Sequence, residues 1–239
     1  MMSKITFFLL GLFFVCFISC QNEISQTTQP TQNEVLTANS TLTTLVKNTV
    51  ANDGSIDNII DKASCISIQL PVKVVANDVE INVNSEADYE IIEANFNEFE
   101  DDEDELEIVF PIVILLSDYT EVTINNSEEL QGFVDGCGGE NEMDDDIECI
   151  DFVYPISFSI FDSENQLAET VFVINDEQFY KFIDDFLDDN QIVQIIFPLK
   201  VVLFDGTEKT INDMVTLENA IDDAKNKCDE DDDNDFGDD

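Results

Sequence analysis

Three residue types are missing from this 239-residue chain, which has no histidine, no arginine and no tryptophan. Without histidine it has neither a Ser-His-Asp nor a Cys-His catalytic apparatus, and no imidazole ligand for zinc. Without arginine it lacks the planar guanidinium that binds phosphates and carboxylates in a bidentate manner. Without tryptophan it lacks the largest aromatic platform for stacking on sugars, although 19 phenylalanines and 4 tyrosines remain. These absences argue against most familiar enzyme designs.

Positive charge is also scarce, because 54 aspartates and glutamates stand against 9 lysines, for a formal net charge of −45. A chain this acidic repels nucleic-acid phosphates and anionic lipid headgroups, so we expect neither as a ligand. Hydrophobic residues nevertheless make up 44% of the chain, a share typical of folded proteins. The composition therefore predicts a folded body with acidic segments rather than a disordered chain.

The N-terminal segment has the pattern of an export signal. Lys4 precedes a stretch with almost no polarity, Ile5–Ile18, and Ser19 and Cys20 follow it. A stretch this short is typical of a signal peptide, since a spanning helix needs about 20 apolar residues. A small residue before a cysteine here resembles the lipobox of bacterial lipoproteins, with Phe17 where the family usually has leucine. The resemblance implies cleavage after Ser19 and a lipid anchor on Cys20.

Two alternatives remain at this end of the chain. An ordinary secretory signal would be cleaved in the same way but would leave no lipid. Cys16 is a poorer anchor than Cys20, because Val15 before it is bulky for the cleavage position. Removal of residues 1–19 also removes Lys4, so the mature chain would have a net charge of 8 − 54 = −46.

Four of the five prolines lie in one recurring motif, in which an aromatic residue or leucine precedes the proline and an aliphatic residue follows it. The motifs are Leu70-Pro71-Val72, Phe110-Pro111-Ile112, Tyr154-Pro155-Ile156 and Phe197-Pro198-Leu199. The prolines are 40, 44 and 43 residues apart, and each is followed by a strand, a turn, a second strand, an Asn or Asp and a helical pattern. Repetition at a fixed period predicts a repeated unit, here four ββα units.

Alternation of apolar and polar residues predicts that each motif lies within one continuous strand with a single buried face. In the first copy the apolar face is Ile66, Ile68, Leu70, Val72 and Val74. The proline falls on the outer face and cannot donate a ladder hydrogen bond, so we expect it on an edge strand or at a bulge. The predicted fold class is α+β, with two tandem modules. Each would have an antiparallel β-sheet from two ββα units, with helices packed on one face.

Helix starts are also recognisable. Ser85 with Asp88 resembles a capping box, and Ser127 and Asp176 stand where helix N-caps are expected. A weaker helical pattern between residues 42 and 64 is expected to pack against the first module.

Four cysteines follow the signal and anchor, and they allow three pairings. Cys65 and Cys149 each open a first proline strand, whereas Cys137 and Cys228 each close a second helix. The duplication therefore favours the disulfides Cys65–Cys137 and Cys149–Cys228, which suit the oxidising conditions that an exported protein meets. A cysteine metal site is disfavoured because no Cys-x-x-Cys spacing occurs.

These features predict a domain order along the chain. The segments are 1–19 signal peptide, 20–41 lipidated cysteine and flexible tether, 42–64 helical lead-in, 65–137 α+β module 1, 138–148 acidic linker, 149–228 α+β module 2 and 229–239 disordered acidic tail. This arrangement resembles uncharacterised lipoproteins of the Bacteroidota, and the run from Asp57-Asn58-Ile59-Ile60-Asp61 into Ser64-Cys65 adds to the likeness. The resemblance implies no particular activity.

The acidic runs raise the question of calcium. In the tail, Asp231, Asp233 and Asp235 alternate as in the first half of a calcium loop, but Phe236 stands where the turn glycine is required. The alternative is a solvated acidic segment that gives solubility and spacing. Paired carboxylates can also work as acid and base on a glycoside, but hydrophilic runs are the wrong setting for the raised pKa that this chemistry needs.

The sequence therefore predicts an outer-membrane, lipid-anchored lipoprotein that faces the periplasm or the cell surface. We expect it to be a non-catalytic binding or structural module of the cell envelope, with an envelope protein or polysaccharide as partner and at most weakly bound calcium as cofactor. The alternative is a calcium-dependent adhesin or polysaccharide-binding protein, and the third candidate is a carboxylate-based hydrolase.

Overall fold

The computed structural model describes residues 35–38, 40–98, 104–137, 147–162, 164–189, 192–225 and 227, and has a mixed α+β fold. The strands are β1 (Val35–Leu36), β2 (Ile66–Ile68), β3 (Val72–Ala76), β4 (Val79–Val83), β5 (Leu106–Ile108), β6 (Ile112–Leu116), β7 (Glu121–Ile124), β8 (Ile150–Val153), β9 (Ile156–Phe161), β10 (Leu167–Val173), β11 (Ile192–Ile195), β12 (Leu199–Leu203) and β13 (Glu208–Ile211). The helices are α1 (Thr41–Thr49), α2 (Asn58–Asp61), α3 (Tyr89–Phe96), α4 (Ser127–Cys137), α5 (Asp176–Asp189) and α6 (Met214–Ala224). None of the helices in the described ranges is long and apolar enough to cross a bilayer.

The strands pair in four antiparallel sheets, with the orders β2-β6-β7, β4-β3-β5, β13-β12-β8 and β1-β11-β9-β10. The expectation of one sheet in each half of the chain is therefore wrong, because each half contains two.

The proline motifs explain this difference. Each proline stands between two strands instead of within one, and the peptide bonds that precede Pro71, Pro111, Pro155 and Pro198 are all cis. The predicted edge or bulge position is therefore also wrong. At the break between two sheets no ladder hydrogen bond is needed from this residue, so proline, which lacks a backbone N–H, is tolerated there.

The two proline strands of each half exchange partners across this break. Before Pro71, β2 pairs with β6, and after Pro71, β3 pairs with β5. The register joins Ile66 to Leu116 in one sheet and Val74 to Ile108 in the other. In the second half, β8 pairs with β12 and β11 pairs with β9. The same reciprocal pairing thus occurs twice.

The predicted hairpins are present after each proline. In the last one, β12 and β13 pair antiparallel, and the N–H of Gly206 donates to the carbonyl of Leu203 at 2.7 Å. Gly206 has a φ of 77°, a conformation that glycine adopts without steric cost. The Asp205-Gly206 turn signal was therefore interpreted correctly.

The helix caps are correct in one case and shifted in two. Ser85 and Asp88 form the predicted capping box. At α4 the cap is Asn126, whose side chain accepts from the N–H of Glu129 at 3.0 Å, and not Ser127. At α5 it is Asn175, which accepts from the N–H of Gln178 at 2.9 Å, and not Asp176. In both helices the predicted residue is the first residue of the helix.

The buried apolar side chains form two clusters. The first core contains side chains from α2, β2–β4, α3, β6, β7 and α4, including Ile92 and Ile114. The second core contains side chains from β8, β9, α5, β11–β13 and α6, including Phe158 and Phe179. The rings of Phe158 and Phe179 pack with their centroids 5.2 Å apart.

The segment before the first core does not pack as predicted. In α1, Leu42, Leu45 and Val46 are buried in the second core, and only α2 contributes to the first. Val35 and Leu36, at the end of the predicted tether, form β1, which pairs with β11. From Val35 onward, the described chain therefore contributes first to the second core, then to the first core, and then again to the second.

Residues 48–51, at the end of α1, contact both Ile147 and Tyr119. The N–H of Ile147 donates to the carbonyl of Asn48. The hydroxyl of Tyr119 lies 3.2 Å from the carbonyl oxygens of both Val50 and Ala51, either of which can accept its one proton. The ring of Tyr119 also meets that of Tyr180 edge to face, with the centroids 5.8 Å apart.

Candidate functional site

A disulfide joins Cys65 to Cys137, the pairing that the duplication favours, with the Cα atoms 5.5 Å apart. It connects the residue before β2 to the last residue of α4, and both cysteines pack against the first core. Cys149 is also disulfide-bonded. Cys228, its predicted partner, lies outside the described residues.

The remaining predicted site residues are the lipidation residue Cys20 and the tail aspartates Asp231, Asp233 and Asp235. All of them lie outside the described residues. Across the described ranges, no three His, Cys, Asp or Glu side chains come together in a way that could hold a metal ion. In the acidic run Asp184–Asp189, Asp184 and Asp185 are solvent-exposed, and Asp184 pairs with Lys47 at 2.6 Å.

Two carboxylates that the sequence did not single out are buried together instead. Asp57 is 0% exposed and Asp61 is 6% exposed. The N–H of Ile68 donates to Oδ2 of Asp57 at 2.6 Å, and the N–H of Ala63 donates to Oδ1 of Asp61 at 3.1 Å. Asp57 directly precedes α2 and Asp61 is its last residue, and the charge of Asp57 acts on Asp61. The structure therefore buries two acids that interact electrostatically.

Gly54 allows this arrangement. A Cβ atom at this position would lie 2.3 Å from the carbonyl oxygen of Ser64 and 2.5 Å from the amide nitrogen of Ile66. Only a residue without a side chain can bring the loop this close to the start of β2. The close approach places Asp57 beneath the N–H of Ile68.

Burial perturbs both carboxyls strongly. Desolvation raises the pKa of Asp57 to about 7, despite its hydrogen bond from Ile68. Desolvation and the charge of Asp57 raise the pKa of Asp61 well above its ordinary value. The neighbouring acids Asp53 and Glu86 raise the pKa of Asp57 further. The pKa of the Tyr89 hydroxyl is also raised, by desolvation and by the charges of Asp57, Glu86 and Asp61. At neutral pH the pair can therefore retain a proton.

We expect the pair to make stability depend on pH. A carboxyl whose pKa is higher in the folded state stabilises that state at low pH, and this contribution is lost as the pH rises towards the folded pKa. In EDTA, the free energy of unfolding of the wild type should fall between about pH 5.5 and pH 7.5, where ordinary carboxyls no longer titrate. Urea unfolding followed by circular dichroism measures this slope.

Asp57→Asn is the matched variant, because an amide oxygen can still accept from Ile68 but the side chain does not ionise. We expect a flatter profile for this variant. Glu90→Gln makes the same change in net charge at an exposed position and should keep the wild-type slope. Parallel profiles for the wild type and Asp57→Asn would show that the pair does not titrate in this range.

A groove of about 360 Å³ lies where the proline strands of the first half cross between their sheets. It is lined by Leu70-Pro71-Val72 and Pro111-Ile112, with Gln69, Lys73 and Thr123 as its polar residues. Two of its polar residues contact acids that are not part of the lining, since Lys73 pairs with Glu80 at 2.6 Å and Gln69 donates to Glu121 at 3.2 Å. The lining itself contains no carboxylate, although the chain has 54 acidic residues.

Sequence reasoning missed both features. Asp57 and Asp61 contributed only to a family likeness, and nothing separated them from the other acids of the chain. The available signal was their spacing around Asn58, Ile59 and Ile60, because two acids flanking a short apolar run are candidates for burial. The groove forms where the proline strands exchange partners between the two sheets. No local sequence pattern indicates that exchange, so the groove could not be predicted.

Comparison with protein-family models, with curated proteins and with solved structures finds no match to this chain. Its function must therefore be inferred from its own residues.

Proposed function

We propose that this chain is a membrane-anchored lipoprotein that acts as a non-catalytic binding or structural module of the cell envelope. The disulfide between Cys65 and Cys137 is the observation that carries this proposal. Disulfides persist in oxidising compartments and are rare in the cytosol of most organisms. The short apolar segment that ends at Cys20 supports export to such a compartment and supplies the anchor.

We also propose that the folded body consists of two related modules. The reciprocal pairing of strands around Pro71 and Pro111 recurs around Pro155 and Pro198, and each set has its own core. The second module would be discontinuous, since β1 and α1 join it from before the first.

The groove supports the binding role within this proposal. An envelope protein or an uncharged polysaccharide that docks there meets apolar side chains and the Lys73 ammonium. Elsewhere the acidic surface of the chain disfavours anionic partners.

The anchor is tested by metabolic labelling with a fatty acid and by fractionation of cells. We expect Cys20→Ala to lose both the acyl label and its partition with membranes. Cys16→Ala removes a cysteine four residues earlier and should keep both properties. An acylated, membrane-bound Cys20→Ala protein would contradict the proposal, and a secreted wild type without label would favour the ordinary signal peptide.

A further inference from the structure

Three oxygen atoms around α2 are buried without a hydrogen-bond donor. They are Oδ1 of Asp57, Oδ1 of Asn58 and Oδ2 of Asp61, and none of them has a partner among the described residues. Asn58 is 6% exposed, so its amide oxygen is as deeply buried as the acids beside it. Buried polar atoms in folded proteins are almost always satisfied, so three unpartnered oxygens in one place favour a bound ligand.

The three oxygens are all acceptors, which limits what can satisfy them. One proton shared between the carboxyls would satisfy the pair but would leave the amide oxygen of Asn58 without a donor. A cation can be coordinated by carboxylate and amide oxygens alike, and it also neutralises the carboxylates. The chemistry of the donor set therefore favours a positively charged ligand.

The carboxylates are already oriented for such a ligand. One oxygen of each is held by a backbone N–H, from Ile68 in β2 and from Ala63 before it, and the other oxygen is left to coordinate. Hydrogen bonds of this kind fix the direction of ligating carboxylates in metal sites. Asn58 and Asp61 are three residues apart, so they share a face of the helical turn.

We propose that Oδ1 of Asp57, Oδ1 of Asn58 and Oδ2 of Asp61 bind a buried divalent cation, and that this cation is calcium. Calcium takes six to eight oxygen ligands in flexible geometry, and backbone carbonyls and water complete such sites. Magnesium fits less well because it demands octahedral geometry and dehydrates reluctantly. Two carboxylates match the charge of one divalent ion. The site is independent of the lipid anchor and goes beyond the proposed envelope role.

The surroundings favour a cation as well. The charged groups that act on the pair are the carboxylates of Asp53 and Glu86, and the hydroxyl of Tyr89 experiences the charges of both aspartates. Through the hydrogen bond from Ile68 to Asp57, the ion would be linked to β2, the strand that begins one residue after Cys65. It would therefore stabilise the first core at the point where the disulfide enters it.

Isothermal titration of the mature, unacylated protein with calcium tests the site, in about 0.15 M KCl to screen diffuse binding to the acidic runs. We expect one ion to bind more tightly than the rest, and Asp61→Asn to weaken it by more than about tenfold because it removes a charged ligand. Glu90→Gln makes the same charge change on the exposed face of α3 and should leave this ion unaffected. Calcium should also raise the melting temperature of the wild type, and magnesium should do so less.

Equal calcium binding by the wild type and by folded Asp61→Asn would overturn the proposal, and the pair would then be a proton-sharing carboxyl pair only. If Asp61→Asn does not fold, Asn58→Ala gives the second test, because it removes the uncharged oxygen ligand of the same site. This variant should also weaken the tightest ion, and equal calcium binding by the wild type and by folded Asn58→Ala would overturn the proposal in the same way.

Discussion

Replacement of Cys65 and Cys137 by alanine should lower the free energy of unfolding of the first core by about 4 kcal/mol. The two cysteines are 72 residues apart, and a cross-link over a loop of this length removes that much conformational freedom from the unfolded chain in the loop-closure account. This is a large part of the stability of a small domain, because native proteins are stable by only about 5–15 kcal/mol. The double variant also avoids a free thiol, which could exchange with other disulfides.

Hydrogen exchange followed by mass spectrometry shows where the loss occurs. Peptides that cover β2–β4 should lose protection in the double variant, whereas peptides that cover β9 and β10 should keep it, because the two sets belong to different cores. An equal loss in both sets would contradict the proposal of two modules and would indicate one cooperative unit.

The sequence was sufficient to locate the four repeated units, because their signals are local. Each three-residue proline motif, the Asp205-Gly206 turn and the capping box at Ser85 depend on residues close together in the chain. The shifted caps at Asn126 and Asn175 show the limit of such signals. An asparagine followed by Ser or Asp gives two suitable caps in succession, and only the hydrogen bonds distinguish them.

The pairing of the strands could not be predicted in the same way. The alternation of apolar residues continues through Pro71 without interruption, so it reads as one strand although β2 and β3 belong to different sheets. Side chains on both sides of the proline face the first core, and the pattern records burial rather than the partner strand. For the same reason the apolar stripe of α1 predicted a buried face but not which core covers it.

The buried acids were hidden by the composition. With 54 acidic residues, a pair four apart is commonplace in this chain. Asp57 and Asp61 differ from the others because Gly54 brings their loop against β2 and removes both side chains from water. That contact joins residues about ten positions apart and has no periodic signature.

Leu42→Ala should destabilise the second core by about 3 kcal/mol and leave the first core intact. Leu42 is 2% exposed and packs in the second core, and truncation of a buried leucine loses its transfer free energy and leaves a cavity. Ile92→Ala in α3 is the matched variant, because Ile92 is 0% exposed and packs in the first core. Thr44→Ala, on the exposed face of α1, controls for a change in helix propensity and should have little effect.

Hydrogen exchange again separates the two cores. Leu42→Ala should expose β9 and β10 to exchange, whereas Ile92→Ala should expose β3 and β4. Loss of protection in β3 and β4 after Leu42→Ala would mean that α1 supports the first core, as the order of segments along the chain suggests. The expected result instead requires residues 35–50 to fold together with residues 147–224, although all residues of the first core lie between these two segments in the sequence. The second core then cannot be completed until the segment that precedes the first core packs against β11, α5 and α6.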